Sequence, residues 1–313
     1  MARAFVFPGQ GAQTIGMGKA LADAYPSAKA VFDEVDEALG EKLSSLIWEG
    51  EQDELTLTQN AQPALMATSL AALRALEAEG VTIDAASFVA GHSLGEYSAL
   101  AAAGAISVAD TARLLRTRGE AMQKAVPVGV GAMAALLGLT FDRVAEIADK
   151  AAEGTGKVCQ AANDNDPSQV VISGDKDAVQ HAIELAQEAG AKRAVMLPVS
   201  APFHCALMEP AARVMAEALQ NVDINRPAVP LVANVLAHEV SDPATIRSLL
   251  VDQVTGSVRW RESVQWMSSN GVTEVWEIGA GKALSGMIRR IDRAIACTAV
   301  GTPDDVKKAV EGL

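Results

Sequence analysis

Short apolar runs bounded by glycine or proline alternate along this chain with longer segments whose apolar positions recur every three or four residues, the signature of strands alternating with helices. Residues 4–7 form a first buried run, ending in Pro8-Gly9-Gln10-Gly11-Ala12-Gln13. Helices are expected from near Met17 and over 25–39, then a polar stretch through Glu54. Thr58 opens a strong helix reaching about Glu79, with Pro63 in its first turn, where a missing N–H costs nothing. Residues 87–90 read as a strand, 94–103 as a small-residue helix and 108–125 as a helix carrying Arg113, Arg116 and Arg118. The spacing of those arginines does not fit one stripe, so at least one is expected to turn inward.

From 129 to 198 the texture changes. Strands are expected at 132–139, 158–162, 170–173 and 194–197, with helices at 141–152, capped by Thr140, and from Asp175 to about 188. The Asn- and Asp-rich stretch 163–167 reads as a turn. This β-α-β-β-α-β order is ferredoxin-like. The pattern then resumes with a helix at 210–219, a strand at 227–235, a helix at 245–254, a strand at 275–278, a helix to about 291 and a strand at 294–299.

The bend between the 87–90 strand and its helix reads Gly91-His92-Ser93-Leu94-Gly95, the Gly-x-Ser-x-Gly spacing of a nucleophile elbow. A serine at such a tip needs close, unhindered neighbours, and Gly91 and Gly95 have no Cβ to obstruct them. Leu94, first in the helix, carries an N–H with no intrahelical partner, aimed where an oxyanion would form. The bland alternative is a turn whose serine only caps the helix. Two other glycine-rich turns carry less. The one after the first strand does not complete Gly-x-Gly-x-x-Gly, and Gly279-Ala280-Gly281-Lys282 lacks the rest of a phosphate loop, so no nucleotide cofactor and no metal is expected.

Charge and cysteine content narrow the class. The formal net charge of −13 leaves no basic excess to neutralise phosphates, so nucleic acid is not an expected partner. Three scattered cysteines, Cys159, Cys205 and Cys297, match neither a disulfide framework nor a metal site, which points to the cytoplasm. No apolar run approaches a membrane span, and the N-terminus lacks a signal-peptide layout, so no membrane association is expected.

A serine hydroxyl needs a base. Of four histidines, His92 lies inside the elbow, His181 in a polar helix and His238 beside Glu239 in a loop. His204, in Val199-Ser200-Ala201-Pro202-Phe203-His204, is the expected base. The carboxylates between Ser93 and His204, such as Asp164 and Asp175, fall in the 128–198 segment, which makes a dyad without an acid an expected arrangement.

Six motifs taken together identify a family. Phe7–Gln13 reads Phe-Pro-Gly-Gln-Gly-Ala-Gln, 58–64 Thr-Gln-Asn-Ala-Gln-Pro-Ala and 91–96 Gly-His-Ser-Leu-Gly-Glu. They are followed by Arg118-Gly119 with Met122-Gln123, Gly131-Ala132-Met133-Ala134 and Ala201-Pro202-Phe203-His204. In this order, over essentially the whole chain, they resemble the malonyl-CoA:acyl carrier protein transacylases. The resemblance implies an α/β fold, with an α/β-hydrolase-like core around a central, mainly parallel sheet and an inserted ferredoxin-like small domain. The large domain would comprise 1–127 and 199–313, and the small one 128–198. It also implies ping-pong transfer of malonyl from malonyl-CoA, through a Ser93 ester, to the phosphopantetheine thiol of acyl carrier protein, releasing coenzyme A, as in fatty acid synthesis.

Site residues follow from the same resemblance. Ser93 is the implied nucleophile, His204 the base and acid, and Arg118 the grip on the malonyl carboxylate. The N–H groups of Gln10 and Leu94 would form the oxyanion hole, the Gln253 carbonyl would orient the histidine, and Asn163 would line the cleft. Where the family often has a proline shortly before its tryptophan, this chain reads Gln253-Val254-Thr255-Gly256-Ser257-Val258-Arg259-Trp260. Phe203 beside His204 suits an unbranched acyl group. A serine esterase or thioesterase, a non-catalytic acyl-binding relative and a polyketide-pathway acyltransferase remain alternatives. An acidic enzyme meeting an acidic carrier needs a local basic patch. Lys192 with Arg193, Arg113 with Arg116, and Arg289, Arg290 and Arg293 are the candidates.

Overall fold

The structure, a computed structural model, describes residues 2–313. Its strands, in chain order, are β1 (Ala2–Phe7), β2 (Phe88–Gly91), β3 (Gly131–Leu137), β4 (Cys159–Asp166), β5 (Gln169–Asp175) and β6 (Arg193–Met196). β7 (Leu231–Val232), β8 (Glu239–Val240), β9 (Val272–Ile278) and β10 (Ala296–Val300) follow. They form two sheets, ordered β10-β9-β1-β2-β7-β8 and β4-β5-β3-β6.

The six-stranded sheet is parallel except for the short β7–β8 pair. Its central strands are unbroken apolar runs because both faces are covered, and Ala4, Phe5, Val6 and Phe7 are all fully buried. The helix Leu94–Ala102 that leaves β2 is buried at every position, and the neighbouring Thr58–Ala78 helix along most of its length. Their alanines and serines let backbones approach closely in that crowded layer.

The second sheet is antiparallel throughout. Helices Phe141–Thr155 and Lys176–Glu188 pack against it in a core of their own, which includes Leu136, Val144, Ile147, Ile172 and Val179. The opposite face presents Met133, Ala135, Ala162 and Val171 to Phe203, which also packs against the main core. A seam joins the two units at β4. Val258 N–H donates to the Ala162 carbonyl at 2.9 Å, and Asp164 N–H to the Val258 carbonyl at 2.9 Å. Arg261 grips the buried Asp164 with Nε 3.0 Å from both oxygens, and Arg290 Nε meets the buried Asp166 at 2.8 Å.

Several expectations change. Of the expected 163–167 turn, residues 163–166 are instead the end of β4, where two register shifts aim polar side chains at partners across the seam, and only Pro167 lies in a turn. Pro63 sits in the second turn, because the helix already starts at Thr58. The stretch before Glu54 holds the helix Leu43–Glu49 and the start of Gln52–Thr56. Only Leu231–Val232 of 227–235 is a strand. Asp175 does not cap the following helix with its side chain but accepts from Val158 N–H at 2.9 Å. Helices Trp260–Ser269 and Pro303–Glu311 were not expected, although the Thr302–Asp305 capping box of the second is written in the sequence.

Candidate active site

Ser93 stands between β2 and its helix with φ 54° and ψ −110°, a backbone conformation that side chains other than glycine seldom adopt. The turn is tight enough that a methyl group on Gly91 would overlap the Gly95 carbonyl, and one on Gly95 the Phe7 carbonyl. Asn234 splints it from outside. Its Oδ1 accepts the Ser93 N–H at 2.8 Å while its Nδ2 donates to the Gly91 carbonyl at 2.7 Å.

His204 also has a positive φ, 57°, and is 4% exposed. Its Nε2 lies 2.8 Å from Ser93 Oγ, and its Nδ1 lies 2.9 Å from the Gln253 carbonyl oxygen. A carbonyl can only accept, so Nδ1 carries the proton and Nε2 faces the serine with its lone pair. Burial, then the nearby Arg118 charge, pushes His204 down to about 3, against the upward pull of the Gln253 carbonyl. The ring is therefore neutral around pH 7. Neither Asp164 nor Asp175 reaches it: the first pairs with Arg261, the second with Val158.

Arg118 is the arginine that turns inward, 1% exposed on the helix Val108–Ala125. Its Nη1 donates to Gln62 Oε1 at 2.7 Å, and its Nη2 to Gln253 Oε1 at 2.8 Å and to Ser93 Oγ at 3.1 Å. Its guanidinium carbon lies 5.6 Å from the centre of the Tyr97 ring. Burial works against its charge, while Tyr97 and Glu96 favour it. Gln62 passes the contact on: its Nε2 donates to Thr58 Oγ1 at 2.9 Å, and that hydroxyl donates to Gln10 Oε1 at 2.9 Å. Gln10 belongs to the loop after β1, and the end of that strand packs on the elbow through the His92 N–H to Phe7 carbonyl bond of 3.1 Å. Leu94 opens the helix beside Ser93, leaving its N–H without an intrahelical acceptor.

Asn163 is buried on β4 at the seam, bridged to Val258 rather than bonded to the Ser93–His204–Arg118 cluster. Its neighbour Asn165 reaches further, with Oδ1 2.8 Å from His92 Nε2. That bond turns His92 away from the base position, while His181 pairs with Glu184 and His238 is exposed. Of the basic clusters, Arg113 pairs with Asp110, Arg116 with Glu41 and Arg290 with Asp166. Lys192 and Arg193 are exposed and form no ion pair among the described residues. The residues that sequence reasoning missed are Gln62, Glu96, Asn165, Asn234 and the side chain of Gln253. Two of them, Gln62 and Glu96, lie inside motifs already noted.

This arrangement brings a serine hydroxyl, a neutral imidazole of fixed tautomer and a buried cation together at one oxygen. Such a set can support transfer, through an ester, of an acyl group that itself bears an anion. Residues 4–296 match the acyl transferase domain family. The malonyl CoA-acyl carrier protein transacylase of Bacillus subtilis strain 168 is 49% identical over 310 residues, 99% of this chain and 96% of that one. The crystal structure of an acyl-carrier-protein-S-malonyltransferase from Bartonella henselae superposes with a TM-score of 0.97 at 56% identity, covering 100% of this chain and 99% of that one. A malonyl-transacylase in complex with a type II PKS acyl-carrier protein superposes with a TM-score of 0.96 at 40% identity, covering 100% of both chains. With likeness of that extent over its whole length, the chain belongs to the acyl transferase family, among the malonyl CoA-acyl carrier protein transacylases.

Proposed function

We propose that Ser93, His204, Arg118, Gln10, Leu94, Gln253 and Asn163 form the site through which this enzyme moves malonyl from malonyl-CoA to acyl carrier protein in fatty acid synthesis. The observation that carries the reading is the meeting of His204 Nε2, at 2.8 Å, and Arg118 Nη2, at 3.1 Å, on the one oxygen of Ser93. A hydrolase of neutral acyl groups has no use for the buried guanidinium.

Malonyl-CoA enters with its carboxylate on Arg118, which releases Ser93 Oγ to do so. Burial does most to hold His204 down; pairing with that carboxylate offsets the further share due to the Arg118 charge, so the base gains some strength when the correct donor is bound. Ser93 Oγ attacks the thioester carbonyl as His204 Nε2 takes its proton. The oxyanion faces the N–H groups of Gln10 and Leu94. Collapse expels the coenzyme A thiolate, which takes the proton from His204. In the second half-reaction the carrier's phosphopantetheine thiol gives its proton to His204 and attacks the ester carbonyl, and Ser93 recovers its hydroxyl. Gln253 holds the imidazole in one tautomer throughout and does the work usually given to an aspartate.

Residues 128–198 act as an inserted small domain that closes one side of the cleft, with Asn163 and Phe203 at the boundary; the separate core of that segment supports this division. The enzyme works in the cytoplasm. Its three cysteines are free, and no helix among the described residues is long and apolar enough to cross a membrane. Intact mass spectrometry after brief exposure to malonyl-CoA tests the reading. A malonyl adduct on Ser93, stable in buffer and discharged by holo-carrier protein, is expected; rapid discharge by water alone would make the protein a hydrolase.

A further inference from the structure

Glu96 lies beneath the elbow, 1% exposed in the helix that Ser93 opens, and the transfer steps above give it no part. Its Oε2 accepts from Gln253 Nε2 at 2.6 Å and from the Asn234 N–H at 3.4 Å. These are the two residues that hold the dyad in place: Asn234 splints Ser93, and Gln253 seats His204 with its carbonyl. The Gln253 side chain stands between two groups of opposite demand. An ionised carboxylate only accepts and a guanidinium only donates. One amide orientation satisfies both, with Nε2 toward Glu96 and Oε1 2.8 Å from Arg118 Nη2. In that orientation Nε2 also reaches the Ser93 carbonyl, at 3.0 Å. The flipped amide would set two acceptors against each other at Glu96 and two donors at Arg118.

We propose that Glu96 is a positioning residue for malonyl transfer: by fixing the amide of Gln253, it sets both the aim of Arg118 and the seat of His204. The inference rests on the transfer reading given above. It assigns to a carboxylate that touches neither substrate nor dyad a joint influence on carboxylate binding and proton transfer. Burial drives Glu96 up to about 7, while Gln253, the Asn234 N–H and Arg118 pull the other way and favour the ionised form.

Rapid-quench mass spectrometry of Ser93 acylation, with malonyl-CoA and acetyl-CoA as separate donors, provides the test on the full chain. Glu96→Ala should slow malonyl acylation by roughly 30-fold or more and lower the malonyl-to-acetyl ratio, because Arg118 loses its aim. Glu96→Gln can still present an oxygen to Gln253 and should stay within about threefold of wild type. A second pair does not depend on the folding of the alanine variant. Gln253→Glu sets two carboxyl groups face to face, and adding Glu96→Gln restores a donor opposite an acceptor, so the double variant should regain about tenfold in rate and recover its donor preference. Equal losses in Glu96→Ala and Glu96→Gln, an unchanged donor ratio, or no recovery in the double variant would overturn the proposal. If wild type acylates and Glu96→Ala matches it, this inference alone fails; a wild-type protein that forms no adduct removes the transfer reading with it.

Discussion

Replacing Arg118 by alanine separates recognition of the acyl group from the acyl chemistry. The side chain is 1% exposed and serves three acceptors, Gln62 Oε1, Gln253 Oε1 and Ser93 Oγ. On the proposed reading, removing it would deprive the malonyl carboxylate of a desolvated partner, at a cost of about 2–5 kcal/mol, or roughly 30-fold to a few thousand-fold in kcat/KM. Two buried amide oxygens also lose their donor, which places the malonyl loss in the upper part of that range. An acetyl group never uses the guanidinium, so its transfer should fall by about tenfold or less. The malonyl-to-acetyl ratio is then expected to drop by on the order of a hundredfold. A second signature follows from charge. Burial, and after it the Arg118 charge, holds His204 below its ordinary range, so in the alanine variant the acid limb of the pH profile should move to higher pH. Arg118→Lys keeps the charge but loses the fork, and should leave that limb near its wild-type position while malonyl transfer still falls. Single-turnover acylation by both donors, measured up to about pH 8 from the lowest pH at which the fold persists, reads all of this. Equal proportional losses for the two donors, or an acid limb that does not move, would make Arg118 a structural residue.

Gly95→Ala should displace the end of β1 and the loop that follows it, because the new methyl group overlaps the Phe7 carbonyl; acylation is expected to fall by about a hundredfold or more, with the melting temperature lowered as well. His204 should also mark the stability curve. Its folded-state value, about 3, lies below its unfolded value, so the stability it contributes is complete above pH 6.5 and is lost as the pH falls toward 3. Between pH 6.5 and 4 wild type should therefore lose on the order of 3 kcal/mol more than His204→Ala in denaturant titrations, and parallel curves would contradict this. Reversing Lys192 and Arg193 to glutamate should slow discharge of malonyl-Ser93 to the acidic carrier by about tenfold at low salt and leave acylation by malonyl-CoA unchanged, whereas an unchanged discharge rate would place docking elsewhere.

What the sequence revealed follows the range of the forces involved. The elbow is a local object of strand, two glycines and helix, so its shape is legible from a few consecutive residues. Spacing showed only that at least one of Arg113, Arg116 and Arg118 turns inward, since a helix does not hold all three positions on one face, and the family resemblance singled out Arg118. The supports of the site are of another kind. Gln62 meets Arg118 across 56 positions, Asn234 meets Ser93 across 141, and Gln253 meets Glu96 across 157. No periodicity links such pairs, and each residue alone looks like an ordinary polar position. Composition misled at 163–166, where asparagine and aspartate suggested a turn. Those residues end a strand because Arg261 and Arg290, about a hundred residues away, neutralise what would otherwise be buried charge.

The left-handed backbone at Ser93 has a thermodynamic consequence separate from its chemistry. Its φ of 54° burdens the folded state alone, since the unfolded chain is free to leave that region. In most settings alanine is a more stable choice than glycine, because glycine gives up more freedom on folding. At position 93 the order should invert. Ser93→Ala and Ser93→Gly remove the same hydroxyl and the same chemistry, but only alanine keeps a Cβ in the strained turn, so the glycine variant should be the more stable of the two inactive proteins by about 1 kcal/mol. That difference, read from paired melting curves, gives the conformational tension at position 93 less glycine's own loss of freedom, and a glycine variant that melts well below the alanine one would show that the turn bears little strain.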